Sequence, residues 1–387
     1  MRLLSMFQER ESRDELGIGG IRDAIADQLF PGTSTIQTRL RYVFFVPWAF
    51  SELDAKSIGG AEFPSAARQA ESRLLGVLIK NEPSTTYGVI GREAGSTLKR
   101  MPSSVYWAAL GSWGLRSFDG SLQQYFAQAD TRRAIRKARR RGEDGDEHDG
   151  DSSGRAWHPQ AIALRPPSFP ADASLSLTRV EAEFLLDRWR HAHPRSLLTW
   201  LALDLTKRNE VPEASRIWEH PRFGDFPMDA RDLIDHARRF DVLIRGAALL
   251  YNLQLAELDG REELASEYGT ELEDWVAHDV VQCQAWRLSD FWPRVIGQGH
   301  TISGETRLFV EQWWALATNA AAGIATSAPA RRLIEFRERR LKQARSRFAN
   351  RAALSQWGGR AGLEPLKYRW PTASTFLQDW HAGWRRS

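Results

Sequence analysis

Residues 229–258, DARDLIDHARRFDVLIRGAALLYNLQLAEL, carry a helical period from end to end. Leu233, Ala237, Phe240, Ile244, Ala247, Tyr251, Gln254 and Leu258 alternate steps of four and three, the spacing of one helix face. The middle turns, GAALLYNLQLA, are apolar on nearly every side. A helix of that kind belongs at the centre of a body with other helices around it.

Helical signals continue in both directions. Thr33 reads as an N-cap, with Ile36, Leu40, Val43 and Phe44 behind it and Pro47 ending the helix. Residues 64–80 repeat the pattern through Ala67, Ala70, Leu74, Leu75 and Leu78. Thr178 with Glu181 forms a capping box ahead of VEAEFLLDRWRHAH, which Pro194 closes, and LLTWLALDLTKR follows at once. Further helices are expected over 262–285, 305–324 and 329–353, and ALRPPSF near 163–169 is the single short β candidate. The expected fold class is mostly α: a multi-helix body around a central buried helix, with an N-terminal helical subdomain and little β.

Composition shifts sharply over residues 131–153, where RRAIRKARRRG carries seven positive charges and EDGDEHDGDSSG six negative ones. A stretch with nothing apolar to bury after Ile135 reads as a charged disordered linker or loop. It divides the chain into an N-terminal helical region, 1–130, the linker, 131–154, and a C-terminal helical domain, 155–387, without internal repeats.

With 387 residues, 42% hydrophobic and 26% charged, the chain can bury a large core, and its 16 Trp supply big rigid anchors. Cys283 is the lone cysteine, which excludes an intramolecular disulfide and a Cys-rich zinc site. The apolar run 42–50 is far short of the ~18 residues that span a bilayer. The opening MRLLSMFQERES lacks a signal-peptide core, so a cytoplasmic protein without membrane contact is expected. The net charge of +4 is unevenly spread: residues 330–387 hold fourteen Lys or Arg against four Asp or Glu. An excess of that sign points to a polyanion or an acidic partner.

No recognisable catalytic signature is present. The chain lacks a phosphate-binding G-x-x-x-x-G-K-[ST] loop and a G-x-S-x-G elbow, and Gly17-Ile18-Gly19-Gly20 has the wrong spacing for a dinucleotide fingerprint and reads as a tight turn between helices. His191 and His193 would project in different directions from a helix, and no H-E-x-x-H motif exists, so neither a metal nor a cofactor is expected. Asp54-Ala-Lys56 is the one D-x-K match, in what reads as a Gly-rich loop.

Three features suit nucleic acid. RRLIEFRERRLKQARSRFANR, 331–351, has an apolar seam at Ile334, Leu341, Ala344, Phe348 and Ala352 with nine basic and two acidic residues around it; Arg331, Arg332, Arg339, Lys342 and Arg345 are the candidate phosphate contacts. The competing reading is a solvated face with ion pairs Glu335–Arg339 and Glu338–Lys342. Residues 87–117, YGVIGREAGSTLKRMPSSVYWAALGSWGLRS, read as two short helices around a Met-Pro-Ser-Ser break. Arg92, Lys99, Arg100 and Arg116 would flank this helix-turn-helix-like pair, with Ser103 or Ser104 capping its second helix. At Thr33, Ser34 and Thr35 a helix N-terminus would offer an anion its free N–H groups, with Arg22, Arg39 and Arg41 in reach; in the alternative Thr33 only caps its helix and Arg22 pairs with Asp23 or Asp27.

Several blocks, DELGIGGIRDAIADQLFPGTSTIQTRLRYVFFVPW above all, then GVIGREAGSTLKRMPSSVYWAALGSWGLR, LTRVEAEFLLDRW, GAALLYNLQLAE and NRAALSQWGGRAGLEPLKYRWPTASTFLQDW, resemble one bacterial domain-of-unknown-function family along nearly the whole chain. That resemblance implies genes beside helicase-like ATPases and phospholipase-D-like nucleases in mobile or phage-defence clusters. Members usually begin with an extra Trp-containing segment, whereas this chain starts at MRLLSMFQERES, and the linker here is longer and more charged. The expected function is a non-catalytic, DNA-associated accessory subunit of an anti-phage defence complex, with helicase-like or nuclease partners. The alternatives are a protein-interaction scaffold that never touches nucleic acid, and a cryptic metal-dependent nuclease or effector.

Overall fold

The computed structural model describes residues 14–56, 58–142, 155–319 and 323–386. It is mostly α: among these residues β structure is limited to one isolated bridge, Arg116 with Trp157, and the ALRPPSF stretch is a short helix end followed by turns. The chain forms two compact units, each assembled from distant pieces: residues up to Gln28 with Arg216–Tyr368, and Leu29–Ser215 with Arg369–Ser387.

The first unit is built on the helix Met228–Leu258, whose residues 246–256 are all buried, as their all-round apolar character requires. Helices Glu262–Asp274, Gly304–Asn319 and Ala328–Lys342 pack around it. Gly246 matters because the Trp275 ring lies across it: a Cβ there would collide with Trp275 Cζ2. Trp275 also donates its indole N–H to the Val242 carbonyl at 2.9 Å and stacks on Trp313. The sequence period over 262–285 suggests one continuous helix; instead a π turn, Trp275–Asp279, interrupts it before Val281–Gln284. A further short stretch belongs to this unit, in which Asp14 accepts the N–H groups of Ile18 and Gly19 and so starts the helix Gly19–Leu29.

In the second unit the helix Tyr42–Ala55 plays the central part, with residues 42–50 all buried. It packs against Phe63–Asn81, Pro102–Ser112 and Pro159–Ala163. Pro47 lies inside this helix rather than at its end, which corrects the expected boundary. An interior proline costs about 3 kcal/mol. The rings beyond it offset that cost, since Trp48 donates to the Ala161 carbonyl at 2.7 Å and Phe50 meets Phe63, Tyr125, Phe126 and Trp157. The capping box forms as expected: Thr178 Oγ accepts from the Glu181 N–H at 3.3 Å and Glu181 Oε2 from the Thr178 N–H at 2.8 Å.

Residues expected in the charged linker start in the helix Ala129–Gly142, where Arg132 is buried against Asp54 at 3.1 Å and over the Tyr125 ring. Residues 143–154 lie outside the described residues. Asp54 therefore belongs to the end of the helix Tyr42–Ala55, not to a loop, and it also accepts the Tyr125 hydroxyl at 2.7 Å.

Candidate nucleic-acid interface

The structure divides the candidate residues by what already occupies their polar atoms. No helix begins at Thr33. The chain makes turns over residues 31–41 and the helix starts at Tyr42, which removes the helix N-terminus expected at Thr33, Ser34 and Thr35. Thr33 is buried and its hydroxyl donates to the Phe30 carbonyl at 2.6 Å, while its own carbonyl accepts from Arg369 at 2.8 Å. Ser34 gives its N–H to Gln37 at 2.9 Å, and Thr35 is exposed. Long-range bonds explain why turns win over the local helical period here: the Tyr106 hydroxyl accepts the N–H groups of Thr38 and Arg39, at 2.9 and 3.0 Å, and donates to the Arg39 carbonyl.

Both arginines of the Arg-x-Arg step are engaged inside the second unit. Arg39 grips Asp379 and also donates to the Tyr87 carbonyl at 3.2 Å. Arg41 is buried, with Glu181 at 2.8 Å and the Ser174 carbonyl at 2.9 Å. Arg22 belongs to the first unit, half-exposed beside Asp23 at 3.2 Å.

Residues 87–117 hold one α-helix, Pro102–Ser112, preceded by turns and a single 3-10 turn, Gly95–Thr97, so the expected helix pair is not formed. Neither serine caps it. Ser103 is buried, giving its N–H and hydroxyl to Glu71 at 2.6 and 2.9 Å, and Ser104 donates to the Met101 carbonyl. Arg92 is spent on backbone carbonyls, at 2.7 Å to Pro83 and 2.9 Å to Glu82, and Arg116 lies over the Trp107 ring. Lys99 and Arg100 are exposed.

The basic C-terminal segment is arranged differently. Its helix is Ala328–Lys342, shorter than the expected 329–353, and the chain turns at Gln343, whose φ is +53°. Glu338 causes the reversal: fully buried, it accepts the Ser346 hydroxyl and the Arg347 N–H, the latter at 2.9 Å. The buried stripe of the helix is Ala330, Ile334, Arg337 and Glu338. Leu341, Ala344 and Ala352, expected in the seam, are exposed. Arg337 reaches the carbonyls of Leu16 and Gly17 at 2.9 and 3.2 Å, and burial lowers the pKa of its guanidinium.

Glu15, buried, lies 2.9 Å from both Lys342 Nζ and Arg347 Nη1, an ion pair with each. Arg331 holds Glu257 and the Ala325 carbonyl, the latter at 2.9 Å. Four of the nine basic residues are thus tied down. Arg332, Arg339, Arg340, Arg345 and Arg351 point outward, and between the first three stands Phe336, 62% exposed. Positions 332, 336, 339 and 340 fall on one helix face. Arg339 pairs with Glu335 at 2.8 Å and Arg340 with Glu305, and exposed pairs of this kind are worth at most about 1 kcal/mol. A phosphate can displace such a partner.

Two open grooves mark the first unit. One, of about 460 Å³, is lined by Asp232, His236, Arg239, Trp286, Arg287 and Arg294. His236 Nδ1 accepts the Trp286 indole N–H at 2.8 Å, which places the neutral ring's proton on Nε2, and burial lowers the pKa of the imidazole. The carboxylates nearby are matched: Asp232 with Arg294 at 2.7 Å and Asp290 with Arg287 at 2.8 Å. The other groove, about 640 Å³, includes Arg245, Glu271, Asp274, His278 and Arg360 beside the π turn. Among the described residues no group of three or more His, Cys, Asp or Glu is placed to hold a metal. Burial pushes the Cys283 thiol up to about 12, far from a reactive thiolate.

Sequence reasoning missed the partners Asp379, Glu181 and Glu15, and it passed over Phe336, an aromatic within an otherwise charged face. A signal for the last existed, since Phe336 falls two residues off the Ile334 stripe. No described helix is long and apolar enough to cross a membrane. Comparison with curated proteins and with solved structures gives no match. A family model described as a family of unknown function, DUF6361, matches residues 1–383, and the chain belongs to that family.

Proposed function

We propose that the protein is a non-catalytic, DNA-associated accessory subunit, acting beside helicase-like or nuclease partners in bacterial anti-phage defence. The observation that carries this reading is the outward arginine face of the helix Ala328–Lys342 and the turn after it, where Arg332, Arg339, Arg340 and Arg345 face solvent without a buried partner. Arginines so placed neutralise phosphates and release counterions, the main sequence-independent source of affinity for nucleic acid. The defence context comes from the gene-neighbourhood expectation attached to the sequence blocks. Fluorescence polarisation with labelled duplex and single-stranded DNA across a salt series tests it: affinity should fall steeply with salt, and no binding to either form at ~50 mM salt would sink the DNA contact.

A second reading, a scaffold that binds only protein, is favoured by Phe336, 62% exposed with Arg332, Arg339 and Arg340 on the same helix face, since aromatic residues and Arg are enriched at protein interfaces. Co-purification with a neighbouring gene product, free of nucleic-acid absorbance, would support it.

A further inference from the structure

We infer that the outward face of the helix Ala328–Lys342 holds single-stranded DNA, with Phe336 as a platform on which a base stacks and the surrounding arginines on its phosphates. This deepens the DNA-contact reading above and rests on it. An exposed phenylalanine alone is unremarkable. Its setting is what points to a ligand: Phe336, 62% exposed, has Arg332 one turn before it and Arg339 and Arg340 one turn after, all on the solvent side. The stripe that docks the helix, Ala330, Ile334, Arg337 and Glu338, lies on the other side, so burial in its own unit leaves the ring outside.

Charge selects the partner. The outward cations Arg332, Arg339, Arg340, Arg345 and Arg351 face few carboxylates, Glu335 and Glu305 being the ones paired with them. An apolar protein surface would leave these charges uncompensated, and an acidic one would leave the ring without a flat apolar face. Duplex DNA satisfies only the arginines, because its bases are stacked on one another. A single strand offers phosphates to the arginines and an unstacked base to the ring. From Arg332 to Arg340 the helix rises about 12 Å, room for more than one phosphate contact.

The test uses the full chain, a labelled single-stranded oligodeoxynucleotide of mixed sequence, and the same sequence as a duplex. Single strand should bind more tightly than duplex. Phe336→Ala should weaken single-strand binding about 5- to 150-fold, the range for loss of one stacked base, with the salt slope unchanged. Phe336→Trp should retain or improve it. Arg332→Ala should weaken binding and lower the salt slope by about one. Equal or tighter duplex binding, or a Phe336→Ala protein that binds single strand as well as the wild type, overturns the inference while leaving the broader DNA reading standing. Failure to bind either form at ~50 mM salt overturns both. Phe336 contributes little to the core, and circular dichroism of each variant confirms that the helices are intact.

Discussion

Arg39 holds Asp379 through Nε and Nη2, at 3.0 and 2.7 Å, and the same carboxylate accepts the Leu40 N–H at 2.9 Å. This join fixes the turns ahead of the helix Tyr42–Ala55 to the helix Trp370–Trp384 within one unit. Arg39→Ala leaves a buried carboxylate with one backbone donor and should cost about 3 kcal/mol. Urea unfolding reads it as a lower midpoint at constant slope. A loss under ~0.5 kcal/mol would mean the pair behaves like a surface bridge.

Gly246 and Gly269 make a paired prediction in the first unit. A side chain at Gly246 collides with Trp275, and overpacking of this kind costs about 1–3 kcal/mol. Gly246→Ala should lower the melting temperature and shift tryptophan emission as the ring is displaced. Gly269, also helical, has no atom within 4 Å of a built Cβ, so Gly269→Ala should stabilise by up to about 1 kcal/mol. Equal effects at both sites would refute the packing argument.

Glu71 predicts a pH dependence. Burial pushes its carboxyl up from 4.5 to about 7, against the lowering effect of the bonds from Ser103. Between those values the folded protein holds a proton that the unfolded chain has released. Stability is therefore greatest below pH 4.5 as far as this group is concerned, and it falls as pH rises towards 7, by up to about 1.4 kcal/mol per pH unit. Glu71→Gln should flatten that part of the stability profile, measured by urea titration at several pH values; an unchanged profile would rule the group out as its source.

Lys342 and Arg332 separate structural from surface charge. Lys342→Glu places a second carboxylate against buried Glu15, and breaking such a contact costs about 3–5 kcal/mol. Arg332→Glu, on the outward face, should stay within about 0.5 kcal/mol of the wild type. Thermal unfolding of the two variants distinguishes them. It follows that charge reversals aimed at binding alone belong at Arg332, Arg339 and Arg345.

What the sequence made legible was local. The period of residues 229–258 survives as the helix Met228–Leu258, and the Thr178 with Glu181 box caps the helix that it predicts. Both depend on neighbours within a few turns. Two of the misplaced boundaries depend on distant groups instead: Tyr106 and Asp379 hold residues 31–41 out of the helix, and Trp275 reaches Gly246 at the point where the π turn interrupts its helix. The stop after Lys342 is local but polar, made by buried Glu338 with Ser346 and Arg347, and so it leaves no trace in an apolar period. At the candidate interface the arginines could be counted in advance, but not sorted. Which of them face inward follows from a buried stripe that includes charged Arg337 and Glu338, contrary to the apolar seam the spacing suggests.

The assembly of each unit from both ends of the sequence sets an order on synthesis. Thr33 and Leu40 wait for Arg369 and Asp379, and Leu16 and Gly17 wait for Arg337. A growing chain leaving the ribosome therefore exposes its early aromatic helices with their last contacts unmade, and the two units stay incomplete until Arg337 in one and Asp379 in the other have been made. Premature stop codons, even late ones, should yield protein that is degraded rather than partly active.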